Sequence, residues 1–396
     1  MSFLRKTGRF YTVLAVILLN TVVFLVVLNL TIYLVWKVKR AYFDLNPVYA
    51  DYGKLQVRKA YPNLSAGEVD ALLAEIWSRP LIFDTFTHFR ERPYRGKYVN
   101  VHEAGFRWSK DQGPWPPDPA NCNVFVFGGS TTFGYGLPDD QTVASYLQQF
   151  LNAGTSATTV RICNFAQGAY YSIQERILFE KLLAAGHVPD MAIFVDGLND
   201  LYHCVDNTPL HIERLQGQIE GGTGHYLLLA LGDSYLAKAA VKLSNAVGRR
   251  FRGSQTEASE KKSAERQEGR DQAMITAAIK RYVENKKMIE AIAEAYHIRV
   301  AFVWQPVSYY KYDLKHHPFK RSEYWKRVQT GAYEAMARFV EQNPLGNSFL
   351  WCADIGEGET RMLYVDGFHY SAVMAEKLAC AIQTLLVERK LFPIPK

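Results

Sequence analysis

The sequence has little charge to spare for binding a polyanion. Its formal net charge is +7, but six of those charges (Arg5, Lys6, Arg9, Lys37, Lys39 and Arg40) precede the first acid, Asp44, so everything after it is close to neutral. No nucleic-acid partner is therefore expected. Cysteine is also scarce. Cys122, Cys163, Cys204, Cys352 and Cys380 are an odd number without a C-x-x-C pair, which encodes neither a disulfide framework nor a zinc site. Cys122, Cys163 and Cys352 sit in or beside apolar runs and read as small buried hydrophobes. The ten histidines are scattered, and His316-His317 has no suitably placed carboxylate or thiol, so no metal or other cofactor is expected. There is no internal repeat. With 48% hydrophobic and 21% charged residues, the 396-residue chain has the means to bury a large core, which excludes disordered and collagen-like classes.

Charge is also missing in one place where its absence is informative. Residues 10–36, from Phe10 to Trp36, carry no formal charge and are rich in Val, Leu and Ile. As a helix this stretch is roughly 40 Å long, more than the roughly 30 Å hydrocarbon core of a bilayer requires. A cleaved signal peptide has a shorter apolar region and a small-residue cleavage site, and large residues here run up to Trp36 and Lys37. One transmembrane helix is expected. Basic residues flank both ends equally, so orientation rests on the short amino-terminal tail, which favours a cytoplasmic N-terminus and an extracytoplasmic remainder, periplasmic in a bacterium.

Three regions are expected: a tail and anchor at 1–40, a stalk and N-terminal elaboration at 41–119, and an α/β domain at 120–396 with an insertion at about 206–274. The elaboration holds a short helix near Glu68 to Trp77 and ends in a proline-dense run, Gln112 to Pro119, that breaks regular structure. Beyond it come short runs apolar at nearly every position: 124–127, 160–163, 192–195, 300–303 and 349–352. Such runs suit strands buried on both faces, the parallel sheet of an α/β fold. Ser172 and Glu175 have the spacing of a capping box for a helix that stops at Gly186, and Ser371 is placed to cap the last helix. In the insertion, residues 226–247 read as an amphipathic helix, and the charged run 249–271 reads as a disordered loop.

The chemistry is expected at the carboxyl ends of the strands, where open parallel sheets place their sites. The first buried strand runs into Gly128-Gly129-Ser130-Thr131-Thr132-Phe133-Gly134, a small-residue turn that lifts the Ser130 hydroxyl into the crevice. This turn lacks the Gly-Lys-Ser/Thr of a phosphate loop, and Thr132 stands where a nucleophile elbow has its last glycine. The third strand ends at Asp196 and brings Asn199 to the same edge, and Gly168 follows the second. Asp366 and His369, before the final helix, are spaced so that the carboxylate can orient an imidazole base. D-x-x-H also occurs at Asp200/His203 and Asp313/His316, but the last copy has the strand-to-helix position the chemistry needs. A Gly-Asp-Ser at 232–234 follows no buried strand. Plain structural readings stand beside these: Ser130 as a helix cap, Gly168 as a turn glycine, Asn199 as a cap.

In order, the four blocks around Ser130, Gly168, Asn199 and Asp366/His369 resemble those of the SGNH, or GDSL-type, hydrolase superfamily, over residues 121–391. Gly129 departs from the name-giving Gly-Asp-Ser and resembles its Gly-Gly-Ser branch; residues 96–107 and Gln305-Pro306 are similar to features of membrane-anchored bacterial members. The resemblance implies a three-layer, flavodoxin-like fold with a five-stranded parallel sheet. It also implies a serine esterase with catalytic Ser130, His369 and Asp366 and an oxyanion hole of the Ser130 and Gly168 N–H groups and the Asn199 amide. The implied substrate is an acyl ester of an envelope carbohydrate or lipid. An O-acyltransferase with the same triad is the first alternative. The second is a non-catalytic envelope protein holding carbohydrate on a tyrosine rim of Tyr135, Tyr170, Tyr171, Tyr309 and Tyr310.

Overall fold

The computed structural model describes residues 2–42, 46–153, 158–202, 257–319 and 323–392. The chain forms two compact units, one of residues 1–45 and 208–264, the other of 46–207 and 265–396. In the first, α1 (Ser2–Tyr42) is a single helix whose segment Phe10–Val35 has a mean hydropathy of 2.7 and is not buried by protein. By length and composition it is able to cross a membrane.

The second unit opens with three helices, α2 (Pro47–Tyr52), α3 (Lys54–Arg58) and α4 (Ala66–Trp77), and two short antiparallel hairpins. The hairpins pair β1 (Ile82–Asp84) with β2 (His88–Arg90) and β3 (Tyr94–Arg95) with β4 (Asn100–Val101). Ser65 accepts from the Glu68 N–H while the Glu68 carboxylate accepts from the Ser65 N–H, a reciprocal box that starts α4.

The five apolar runs form one parallel sheet: β5 (Cys122–Gly128), β6 (Val160–Asn164), β7 (Met191–Asp196), β8 (Arg299–Trp304) and β9 (Phe349–Trp351), in the order β6-β5-β7-β8-β9. This is the flavodoxin-like order, an α/β fold in three layers. Alternation along each strand sorts side chains between two cores. Phe125, Phe127, Phe194, Phe302 and Trp304 face α7 (Ser172–Ala184), α9 (Glu257–Ala295) and α10 (Glu323–Gln342). Val124, Val126, Ile193, Val195 and Val303 face α6 (Val143–Ala153) and α11 (Ala372–Glu388). On the aromatic side Phe127, Phe194 and Phe302 stack across adjacent strands at 4.8 and 5.5 Å.

Three details differ from the sequence reading. Residues 46–119 are not a separate stalk. Val48, Val57, Leu72, Ile76, Val99 and Val101 share a core with Phe133, Ala166 and Val365 from the loops of the sheet's carboxyl edge. Ser172 is the first residue of α7, not its cap, and its hydroxyl donates to Asp200, so no capping box forms with Glu175. The charged run placed in a loop is helical from Glu257 onward, because its Ala, Glu, Lys, Arg and Gln residues are strong helix formers even without an apolar stripe. Residues 226–247 and the Gly-Asp-Ser at 232–234 lie outside the described residues, as do His203 and Cys204.

Candidate active site

The strand order reverses beside β5, and the crevice at such a switch point opens between β5 and β7. Ser130 begins the one-turn helix α5 (Ser130–Phe133) directly after β5, with Gly129 as its cap. The turn is clamped from below by Arg107. Its fully buried guanidinium donates to the carbonyls of Phe133, Gly134 and Leu137 and pairs with Asp139 at 2.9 Å. A buried charge is tolerable only when saturated in this way.

Asp366 and His369 occupy a loop before α11. Asp366 Oδ1 accepts from the backbone N–H groups of Phe368 and His369, both at 2.8 Å. Its Oδ2 lies 2.6 Å from His369 Nδ1, and His369 Nε2 lies 2.9 Å from Ser130 Oγ. A carboxylate only accepts, so Nδ1 carries the ring proton and Nε2 of the neutral ring is free to accept from the hydroxyl. Burial alone would raise the Asp366 carboxyl. The imidazole, its ring hydrogen bond and the two backbone donors outweigh burial and hold it below the usual carboxylate range. The imidazole itself lies between rings: Tyr135 stacks on it at 5.3 Å and Trp77 meets it edge-on at 5.6 Å.

Asn199, in α8 (Leu198–Tyr202), donates one amide hydrogen to the Tyr170 carbonyl at 2.6 Å and keeps its second. Its nitrogen would stand 2.3 Å from a Cβ at position 129. Glycine there is what lets the amide lie against the Ser130 turn, and an Asp in its place would collide. Gly168 is similarly constrained, since a Cβ would meet the Tyr135 hydroxyl at 2.6 Å. Among the described residues, neither the Ser130 nor the Gly168 N–H has an acceptor. Thus the structure brings Ser130, His369 and Asp366 into one hydrogen-bonded chain and sets Asn199 against the same turn.

Several residues that shape the site carried little signal in the sequence. Tyr135 donates to Glu91 at 2.6 Å, Glu91 pairs with Arg79 at 3.3 Å, and the Glu91 N–H donates to Gln167, all buried or nearly so. Through Trp77, Arg79 and Glu91 the N-terminal region forms one wall of the site. Gln305, at the end of β8, accepts from Thr131 at 2.6 Å and from Tyr370 at 2.8 Å, tying the neighbours of Ser130 and His369 to one carboxamide. Other candidates go elsewhere. The Asp313 carboxylate caps the turn at Lys315, and Asp313 meets His316 through its backbone carbonyl, which accepts from the His316 N–H at 3.0 Å. Of the tyrosines that the second, non-catalytic alternative placed on a rim, Tyr170, Tyr309 and Tyr310 are buried. Among the described residues no group of His, Cys, Asp or Glu is arranged to hold a metal ion.

No family model matches the chain, and no curated protein matches it in sequence. Among solved structures, the chain is similar to a lipase from a goat rumen metagenome, with 10% identity, a TM-score of 0.40, and coverage of 67% of this chain and 97% of that one. It is also similar to an acetyl xylan esterase, with 11% identity, a TM-score of 0.35, and coverage of 66% and 98%. A third is the psychrotrophic esterase EstA from Pseudoalteromonas sp., with 10% identity, a TM-score of 0.34, and coverage of 68% and 98%.

Proposed function

We propose that this chain is a membrane-anchored serine esterase of the SGNH type, with Ser130 as nucleophile, His369 as general base and acid, and Asp366 as the group that orients it. The observation that carries this reading is the unbroken chain from Ser130 Oγ through the imidazole to a buried, ionised Asp366. Ser130 Oγ passes its proton to His369 Nε2 as it attacks the ester carbonyl. Nε2–H then protonates the departing alcohol as its C–O bond breaks, leaving an acyl group on Oγ. Water repeats the sequence in reverse, giving its proton to Nε2 and releasing the acid as Ser130 regains its hydrogen.

The oxyanion of each tetrahedral intermediate is held by the Ser130 and Gly168 N–H groups and the second amide hydrogen of Asn199. Losing one such donor raises the barrier by about 2.7 to 4 kcal/mol. In this reading α1 anchors the chain in a bilayer with its N-terminus cytoplasmic and the catalytic unit outside. The substrate is an acyl ester of an envelope carbohydrate or lipid. The test is hydrolysis of a chromogenic acetate ester by the full chain. The wild type turns over, and Ser130→Ala loses activity by on the order of 10⁴-fold or more with its fold intact; equal activity in the two proteins would refute the assignment.

A further inference from the structure

In the resting site His369 is held at both ring nitrogens, Nδ1 by Asp366 and Nε2 by the Ser130 hydroxyl. Acylation removes the second hold. Once Ser130 Oγ carries an acyl group it has no hydrogen to donate, so the Nδ1 bond alone is left of the two. A ring pinned at one nitrogen has torsional freedom that the second half of the reaction cannot use, because a base acts only within hydrogen-bond reach of the proton it removes.

The fold supplies a further hold from outside the triad. The Tyr135 ring lies on the imidazole face, with 5.3 Å between centroids and 26° between planes. Stacking of this kind resists tilting, since tilting parts the two faces. Nor can Tyr135 follow the imidazole if it swings. Trp77 and Phe133 meet the tyrosine edge-on at 4.9 and 5.4 Å, and its hydroxyl donates to Glu91 Oε1 at 2.6 Å. Burial first, and then the charge on Glu91, push that hydroxyl well above its usual range, so it stays a donor.

Glu91 is anchored in turn. Arg79 meets its other carboxylate oxygen at 3.3 Å, the two side chains being 3% and 1% exposed, and the Glu91 N–H donates to Gln167 Oε1 at 2.7 Å. The Gln167 backbone N–H donates to the Gly128 carbonyl at 3.0 Å, at the end of the strand that runs into Ser130. The support behind Tyr135 is therefore fixed to the same strand end as the nucleophile. For stability alone a buried ion pair is a poor device, since apolar residues of like volume do as well or better. Here the pair has a tyrosine on it, and that tyrosine lies on His369.

We infer that Tyr135, braced by Glu91, is a positioning residue that keeps His369 aimed while Ser130 carries the acyl group, and so serves hydrolysis of the acyl-enzyme more than its formation. This rests on the reading of Ser130 and His369 as nucleophile and base.

The test uses the full-length protein and a chromogenic acetate ester. On an acyl-enzyme route kcat/KM reports formation of the intermediate. The share of enzyme with an acetyl mass on the Ser130 peptide, quenched in acid during steady state at an ester concentration well below the wild-type KM, reports how slowly it is hydrolysed. In Tyr135→Leu, kcat is expected to fall by about tenfold and KM to fall with it, so that kcat/KM stays within about twofold and acetyl-Ser130 rises. Tyr135→Phe keeps the ring and loses the bond to Glu91, and should lie between Tyr135→Leu and wild type. A kcat/KM that falls as far as kcat, which is what loss of folded enzyme or a role in forming the intermediate gives, overturns the inference. Wild-type constants in Tyr135→Leu also overturn it. If Tyr135→Leu does not fold, Tyr135→Phe decides by the same two readings. Ser130→Ala, run alongside, separates the failures: activity that survives it sinks the serine-esterase reading and the inference together, whereas activity that needs Ser130 and ignores Tyr135 sinks the inference alone.

Discussion

At the scale of single residues, the informative position is Gly129. The sequence shows only that an aspartate found in a well-known motif is replaced by glycine. The structure supplies the reason, because the Asn199 amide occupies the space any side chain at 129 would need. Gly129→Ala should therefore act by displacing Asn199. Its kcat is expected to fall by about 10² to 10³, the cost of one lost oxyanion donor. Asn199→Ala should cost about the same, and the double variant little more than either, because both remove one interaction. Additive losses in that kinetic cycle would show that Gly129 acts on something else. Ser130, His369 and Asp366 were legible because each follows a buried strand and carries reactive chemistry. Glu91 was not, and Gln305 stood out only through the Gln305-Pro306 resemblance and without a role, since a polar residue becomes informative only when its buried partners are known.

Among elements, the strands were the most legible, because period-two sorting of Val against Phe leaves a direct mark on sequence. Helix starts were less so. Ser172 and Glu175 have capping spacing, yet the fold uses them inside the protein, where Glu175, Asp196 and Asp200 form a buried cluster behind the crevice. Burial first, and then the neighbouring carboxyls, push Asp196 and Glu175 well above the usual carboxylate range; burial raises Asp200 as well. A carboxyl raised on folding contributes fully below its unfolded value, about pH 4, and loses that contribution as pH climbs through the folded value. Asp196→Asn binds no such proton. Its Tm relative to wild type should rise as pH goes from about 4 to about 8. A difference that stays flat across this range, followed by circular dichroism, would mean that burial does not raise these carboxyls.

For the whole molecule, composition had pointed to an anchor, a stalk and a catalytic domain. The proline-dense stretch up to Pro119 looks like a boundary in one dimension. In three dimensions residues 46–119 pack on the carboxyl edge of the sheet and bring Trp77, Arg79 and Glu91 to the site. Local breakers mark where regular structure stops but not where packing stops. The charge near the N-terminus frames α1. The central claim concerns one hydroxyl within all of this. Full-length protein treated with a fluorophosphonate and digested should carry the phosphonyl mass on the peptide containing Ser130. The adduct should be lost in His369→Ala, whose base no longer activates the nucleophile. A folded wild-type protein that stays unmodified at Ser130, or reacts equally well without His369, would contradict the account.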